Sequence, residues 1–239
     1  ASNNGQAVPT LLELAKAQGK AVGAITTTEL THATPAATYS HICHRDAAYD
    51  IAAQAIPNGK GFNTALGDGV DVLMGGGANY WTPYDATNNK RGRADGRDLT
   101  AELRSQGYAS VTTKAELAAV DPASSSRLIA LFSKTSHMDY DLDRQNNPAS
   151  TQPSLSEMTS KAIDLLSKNQ DGYFLMVEGG RIDHALHGTN AKRALQDASA
   201  FDDAIKTALG KVDLSNTLIV VTADHDHTMT INGYSAKGN

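Results

Sequence analysis

The chain has 239 residues, of which 20% are charged and 5% aromatic, and its formal net charge is −5. This composition is typical of one or at most two globular domains, and it excludes a disordered chain, a collagen-like repeat and a coiled coil. No apolar run approaches the roughly 18 residues that span a bilayer, and the acidic balance argues against nucleic acid as the main partner. The single cysteine, Cys43, excludes an internal disulfide.

Helical and strand-like patterns alternate along the sequence. Apolar residues at helical spacing, turn residues and short β-branched runs define the boundaries. They predict, in chain order, a helix over 8–18, a strand over 21–27, a helix over 34–56, a strand over 70–74, a helix over 99–106, a strand over 109–112, a helix over 115–119, a strand over 128–132, a helix over 154–168, a strand over 173–177, a helix over 190–209 and a strand over 218–222.

Two polar stretches, 78–96 and 136–150, are expected to be surface excursions from one domain that occupies 1–239. The acidic run of Asp139, Asp141 and Asp143 in the second stretch indicates either a solvated excursion or a contact with a partner or cation. Strands that alternate with helices predict an α/β fold with a mostly parallel sheet. In such sheets functional sites form beyond the carboxyl ends of the strands, so the motifs that follow the strands are the candidates.

The first motif follows the strand over 173–177. Glu178 leaves the strand directly, and the two glycines after it allow a tight turn. Asp183 and His187 are four residues apart, so on a helix they share one face. A carboxylate and an imidazole on one face suit a divalent cation such as zinc. The alternative is an acidic first helical turn followed by surface histidines.

The second motif follows the strand over 218–222 and contains Asp224, His225 and His227. An adjacent Asp-His pair offers one oxygen and one nitrogen to a metal, although a polar surface turn has the same composition. Gathering Glu178, Asp183 and Asp224 at one sheet edge would be costly through mutual repulsion unless cations neutralise them. The two motifs together therefore predict a metal centre.

The third motif follows the strand over 21–27. Thr34 precedes a proline and is predicted to cap the next helix, and its hydroxyl could also bind magnesium. Arg45 lies three helical turns further on, so it is expected on the same side, where its guanidinium could hold a phosphate or sulfate. In the alternative, Thr34 only caps and Arg45 is solvated. Nearby His41, Cys43 and His44 are expected to be helix-surface or core residues rather than a further metal site.

The chain resembles the bacterial and animal alkaline phosphatases in three motifs: THATPAA with Arg45, VEGGRIDHALH and VTADHDH. The motifs occur in the order and spacing of that family. The resemblance covers essentially the whole chain, including LFSKTSHMDYDLDR and the helix that ends in FDDAI. It implies a three-layer α/β/α sandwich and a phosphomonoesterase that uses two Zn²⁺ and one Mg²⁺.

The resemblance also implies roles for individual zinc-site residues. Asp183 and His187 resemble the ligands of one zinc, and Asp224 and His225 resemble the ligands of the second. His227 resembles a residue that orients a zinc-ligating carboxylate without binding the metal itself.

The remaining site residues resemble the magnesium and phosphate sites of the family. Thr34 and Glu178 resemble magnesium ligands, and Arg45 resembles the arginine that clamps two phosphate oxygens. His32 and His184 occupy variable positions next to the metal ligands. Histidine at both resembles the animal and some marine bacterial enzymes.

The mechanism that the resemblance implies is an in-line displacement through a phosphoserine intermediate. A zinc-activated serine attacks phosphorus, the other zinc stabilises the leaving oxygen, and a zinc-bound hydroxide completes hydrolysis. The implied substrates are phosphate monoesters, with inorganic phosphate as product. The family also implies a homodimer that is located in the periplasm or outside the cell.

Part of the family pattern has no counterpart in the sequence. Ser2 is the only serine ahead of THATPAA, and its surroundings do not match the motif of the nucleophile. No histidine follows His227, where the family has a further zinc ligand. We therefore expect the central part of a longer alkaline phosphatase, with the nucleophile outside this chain. The alternatives are a catalytically inactive metal-binding fragment and, ranked lower, a relative of the sulfatases or phosphodiesterases.

Overall fold

The computed structural model describes residues 2–3, 5–230 and 233, so the ends of the predicted unit 1–239 lie outside the described residues. Short 3-10 helices occupy Thr64–Leu66 and Ala78–Tyr80. The other elements are, in chain order, β1 Ser2–Asn3, β2 Gln6–Ala7, α1 Leu11–Ala17, β3 Ala21–Glu29, α2 Ala33–Tyr39, α3 Ala48–Gln54, β4 Val72–Gly76, α4 Leu99–Ser105, β5 Ala109–Val111, α5 Lys114–Ala119, β6 Leu128–Leu131, α6 Asp141–Asn146, α7 Leu155–Leu166, β7 Tyr173–Glu178, α8 Arg181–His187 and α9 Ala191–Lys211.

A five-stranded sheet with the order β5-β6-β4-β3-β7 forms the centre of the molecule, and all its pairings are parallel. Gly23 of β3 lies opposite Val72 of β4 on one side and Leu175 of β7 on the other. Since parallel strands point the same way, their carboxyl ends meet at one edge of the sheet. The predicted α/β fold with a mostly parallel sheet is confirmed.

Alternate side chains of each strand pack into two separate cores, because successive residues of a strand point to opposite faces of the sheet. Leu73 of β4 and Ile129 of β6 point into a core shared with α1, α2 and α3. Met74 and Leu128 point into the opposite core, which is shared with α5, α7 and α9. Helices thus cover both faces of the sheet, which gives the expected three layers.

Local capping signals set the starts of two helices. The Ser154 hydroxyl accepts a hydrogen bond from the backbone N–H of Glu157, and the Glu157 carboxylate accepts one from the backbone N–H of Ser154. Thr10 and Glu13 form the same reciprocal pair at the start of α1. These pairs satisfy backbone donors that a helix N-terminus otherwise leaves free. The predicted start of the helix at Ser154 is confirmed.

The single helix predicted over 34–56 is wrong, because the structure has two helices, α2 and α3, separated by 40–47. His32, rather than Thr34, occupies the N-cap position of α2. The Gln54 side chain accepts a hydrogen bond from the backbone N–H of His41 and donates one to its carbonyl. This long-range contact replaces helical bonding after Tyr39, and most residues of 40–47, apart from Arg45 and Ala47, have low helix propensity.

The predicted buried strand over 218–222 is also wrong. The segment belongs to no described strand, and its apolar side chains are exposed, with Leu218 at 86% and Val220 at 74%. An apolar run becomes a strand only when another strand satisfies its backbone groups. No described strand pairs with this segment.

The two polar stretches contain buried residues as well as exposed ones. Residues 84–88 form an exposed tip, but Trp81 is fully buried and Arg93 is only 3% exposed. The Arg93 guanidinium pairs with Asp95 and donates to backbone carbonyls. The second stretch, 136–150, contains α6, whose buried Asp141 pairs with Arg144. Among the described residues, no helix has the length and apolar character needed to cross a membrane.

Candidate functional site

The carboxyl ends of β3 and β7 lie side by side and place Glu178 at the sheet edge. Thr26 is directly opposite Glu178 in the ladder. The Glu178 carboxylate accepts hydrogen bonds from the hydroxyl of Thr26 at 2.5 Å and from that of Thr28 at 3.3 Å. Two hydroxyl donors on a neighbouring strand therefore orient this carboxylate before any ligand binds.

The turn after Glu178 seats α8 on the same edge. A Cβ atom at Gly180 would lie 2.4 Å from Cγ2 of Thr28, so only glycine fits this close approach. The backbone N–H of Arg181 donates to the Thr27 hydroxyl at 3.3 Å. These contacts set the direction in which α8 leaves the sheet.

Asp183, His187 and His227 bring one oxygen and two nitrogens together. Their ligand atoms all lie within 4.8 Å of one another. Oδ2 of Asp183 is 3.6 Å from Nε2 of His187, and Oδ1 is 3.6 Å from Nε2 of His227. Asp183 and His187 share one face of α8, as the spacing predicts. One carboxylate oxygen and two imidazole nitrogens form a donor set that fits zinc.

His225 lies at the edge of this cluster. Its Nε2 is 3.7 Å from Oδ1 of Asp183 and 3.4 Å from Oδ2 of Asp224. The backbone carbonyl of Asp226 accepts a hydrogen bond from Nδ1 and, together with the charge of Asp224, raises the pKa of His225. Asp224 is 80% exposed, so the structure places it at the rim.

A second group of three histidines, His32, His137 and His184, packs ring against ring, and the charge of Glu178 acts on His32. The ring centroids of His137 and His184 are 4.3 Å apart, and each is 5.3 Å from that of His32. Burial lowers the pKa of all three imidazoles, to about 3 for His137 and about 4 for His184, where neighbouring histidines and Arg181 contribute as well. These rings are therefore neutral near pH 7.

The hydrogen bonds of this group define its tautomers. Nδ1 of His137 accepts from the backbone N–H of Glu29 at 3.0 Å, and Nδ1 of His184 pairs with the guanidinium of Arg181 at 2.9 Å. Arginine only donates, so both Nδ1 atoms are acceptors and the neutral rings carry their proton on Nε2. Sequence reasoning missed His137. The signal that could have found it is its position after β6, at the same sheet edge.

Thr34 and Arg45 do not share a helix, contrary to the prediction. Thr34 lies inside the first turn of α2 and is exposed, so the prediction that it caps the helix is wrong. Arg45 lies in the loop 40–47, not on a helix shared with Thr34. Nevertheless, Nη2 of Arg45 is 3.5 Å from Nε2 of His32. The loop brings the guanidinium next to the histidine group.

Comparison with known proteins gives one consistent result. The family model described as alkaline phosphatase matches residues 1–239. The tissue-nonspecific alkaline phosphatase of Rattus norvegicus is 39% identical over 265 aligned residues, which cover 100% of this chain and 48% of that protein. The chain thus spans about half the length of the curated relatives it matches.

Solved structures agree. The alkaline phosphatase of Thermus thermophilus has a TM-score of 0.69 and 35% identity, covering 82% of this chain and 37% of that one. A histidine-to-glutamate mutant of the alkaline phosphatase from TAB5, with magnesium bound in its M3 site, has a TM-score of 0.69 and 28% identity, covering 88% of this chain and 53% of that one.

Proposed function

This chain belongs to the alkaline phosphatase family, and from that premise we propose that the protein containing it hydrolyses phosphomonoesters. The observation that carries the proposal is the convergence of Asp183, His187 and His227 at the carboxyl edge of the sheet. A cluster of one carboxylate and two imidazoles, beside a carboxylate already oriented by hydroxyls, is suited to holding metal ions against an anionic substrate.

We propose that the site holds two Zn²⁺ and one Mg²⁺. Asp183 and His187 would hold one zinc, with His227 close enough to orient the carboxylate or to join the ligands. Asp224 and His225 would hold the second zinc. When bound, zinc lowers the pKa of a coordinated oxygen nucleophile and stabilises charge on the leaving oxygen.

Glu178 and Thr34 would hold the magnesium. The carboxylate of Glu178 is oriented by Thr26 and Thr28, which favours a hard cation that prefers oxygen ligands. The neutral rings of His32 and His184 next to it add no positive charge that would oppose cation binding.

Arg45 would bind two oxygens of the substrate phosphate. Its guanidinium is always charged, and its planar geometry matches a phosphate bidentately. Its side chain is exposed, with His32 as a described polar neighbour at 3.5 Å, so an incoming phosphate can reach it.

We further propose a phosphoserine intermediate. The serine would lie in a part of the protein that corresponds to the half of the longer relatives that this chain does not span. Phosphate monoesters are the proposed substrates and inorganic phosphate is the product. A homodimer in the periplasm or outside the cell completes the proposal. Inactivity of the 239-residue chain alone, as a metal-binding fragment, is the second candidate, because no serine of the sequence has the expected context.

The test is hydrolysis of p-nitrophenyl phosphate by the full-length protein and by the 239-residue chain. We expect activity in the full-length protein that a chelator abolishes and that zinc plus magnesium restores. The matched substrates p-nitrophenyl sulfate and bis-p-nitrophenyl phosphate should react far more slowly. Faster reaction of either would point to a sulfatase or phosphodiesterase, and chelator-resistant hydrolysis would contradict the metal centre.

A further inference from the structure

We propose that His41 is a positioning residue for Arg45, because its contact with the buried carboxylate of Glu13 holds the base of the loop that carries the arginine. The inference rests on the proposed function, since it takes Arg45 as a phosphate ligand. It assigns a role in substrate binding to residues of α1, a helix that contributes none of the predicted site residues.

The loop 40–47 is fixed at its beginning and exposed beyond it. Ser40 donates through its hydroxyl to the Ala36 carbonyl at 2.7 Å, and the backbone of His41 is held at both its N–H and its carbonyl by the side chain of Gln54. Residues 42–46 are exposed. His41 is therefore the last firmly bound residue before Arg45.

The imidazole of His41 adds a contact to the core. Its Nε2 is 2.7 Å from Oε1 of Glu13, whose side chain is only 5% exposed. The Asn63 amide donates to the same Oε1 at 2.6 Å and to the Tyr39 carbonyl at 3.0 Å. One buried carboxylate thus ties the end of α2 and the start of the loop to two other parts of the chain.

Glu13 is held rigidly enough to act as this anchor. It belongs to the first turn of α1, and its Oε2 accepts the backbone N–H of Thr10 at 2.8 Å. Burial favours the neutral acid, but the hydrogen bonds from Asn63, Thr10 and His41 outweigh it and lower the pKa of Glu13. A carboxylate in this state is a strong acceptor for the imidazole.

The loop residues that follow His41 have no comparable anchor among the described contacts. Cys43 is exposed, and the described contacts of His44 are with its loop neighbours Asp46 and Ala47. The side chains of His44 and Asp46 are both more than 70% exposed. The imidazole of His41 is instead bound to Glu13, and its side chain is only 21% exposed. The arrangement therefore favours a structural anchor over a metal site formed by His41, Cys43 and His44.

Anchoring the base of the loop should strengthen phosphate binding, because Arg45 then loses less conformational freedom when it binds. An arginine on a free loop must lose conformational freedom when it grips phosphate, and that loss subtracts from affinity. An anchor four residues away reduces the volume that the guanidinium explores. Its removal should weaken phosphate binding without removing any atom that touches phosphate.

The experiment compares His41→Leu with His44→Leu in the full-length protein loaded with zinc and magnesium. The two substitutions are chemically identical, but only the first removes the contact to Glu13. Inorganic phosphate is the probe, measured by calorimetric binding and by competitive inhibition. We expect His41→Leu to weaken phosphate binding about tenfold, with His44→Leu within about twofold of the wild type. Bound zinc, measured by elemental analysis, should stay the same in both.

An Arg45→Ala background decides whether His41 acts through the arginine. There, His41→Leu should add less than about a twofold further loss, since residues that act as a unit are not additive. A loss as large as in the wild-type background would overturn the inference and leave the role of Arg45 intact. Unchanged phosphate binding in Arg45→Ala alone would overturn both.

Two further variants keep the test decisive if His41→Leu does not fold. His41→Gln retains a side-chain donor and should recover most of the phosphate affinity, while Glu13→Gln retains the shape of the acceptor but not its charge. We expect an intermediate loss of about threefold for Glu13→Gln, dependent on Arg45 in the same way. Wild-type phosphate affinity in Glu13→Gln would contradict the proposal, and so would a loss in His44→Leu as large as that in Glu13→Gln.

Discussion

The two groups of candidate zinc ligands differ in what holds them. Asp183 and His187 lie on α8, which the close approach of Gly180 to Thr28 seats on the sheet edge. Asp224, His225 and His227 lie on an extended segment after α9 without regular structure. The two motifs look equally rich in ligands, yet only the first is positioned by backbone hydrogen bonding. Ligand density in a sequence therefore says little about how well a site is organised.

The burial of the two regions shows the same contrast. Asp183 is partly buried, whereas Asp224 is 80% exposed. His227 is the exception, with a side chain only 12% exposed, because its imidazole packs edge-on against that of His187. Two histidines thus contact the helix from the exposed segment, and His227 is the more buried of the two.

The largest expected effect is on zinc affinity, which should fall by different amounts when a ligand is removed from each group. His187→Ala should weaken zinc binding by about 100-fold or more, whereas His225→Ala should weaken it by about tenfold. The reason is that α8 presents His187 at no further ordering cost, whereas His225 must first be ordered. Competition with a chromophoric chelator measures both, and His44→Ala is the control on an exposed loop. Equal losses would remove the distinction between the helix and the segment.

A matched pair of leucines tests the contrast in burial. Leu73 is fully buried in β4 and Leu218 is 86% exposed. Leu73→Ala should lower the free energy of unfolding by about 2–5 kcal/mol, because it leaves a cavity. Leu218→Ala should change it by less than about 0.5 kcal/mol, as for other exposed positions. Urea denaturation of both variants measures the difference, and a cost above about 2 kcal/mol for Leu218→Ala would show that the segment is buried.

Asp197 lies on α9, the helix that connects the two regions, and its buried carboxyl makes stability depend on pH. Burial, together with the nearby charge of Asp141, raises its pKa to about 6, against the opposing hydrogen bond from the Asp141 N–H. The folded state then binds more protons than the unfolded state, so stability falls as pH rises from about 4 to 6. Asp197→Asn should abolish that decrease, because the amide does not ionise. The effect of the substitution on the free energy of unfolding should therefore be more favourable at pH 7 than at pH 4, by roughly 2 kcal/mol.

Urea unfolding at pH 4 and pH 7 measures this effect, and a carbon NMR titration of the Asp197 carboxyl gives its pKa directly. The same dependence on pH in Asp197→Asn as in the wild type would assign it to another group.

Much of the fold follows from local rules. The capping box at Ser154 and Glu157 marks the start of α7, and the spacing of Asp183 and His187 predicts their shared face. The alternation of strands and helices predicts the parallel sheet, and with it the edge at which the site lies. These features depend on residues close in sequence or on a short repeating period, so they can be predicted without a structure.

The incorrect predictions share a different property, because each depends on contacts between segments that are far apart in the sequence. The helix over 34–56 is interrupted because Gln54 binds the backbone of His41, and the strand over 218–222 is absent because no described strand pairs with it. His137 joins His32 and His184 only when the ends of β6, β3 and β7 are placed together.

The sequence by itself determined the fold class, the sheet edge that carries the candidate site and the family to which the chain belongs. Capping, periodicity and motif spacing are local, and each acts over a few residues. The tertiary structure decided which ligands converge, how Arg45 reaches His32 and which apolar run stays exposed. Those outcomes depend on pairing and packing between distant segments, whose free energy is realised only when a specific partner is in place.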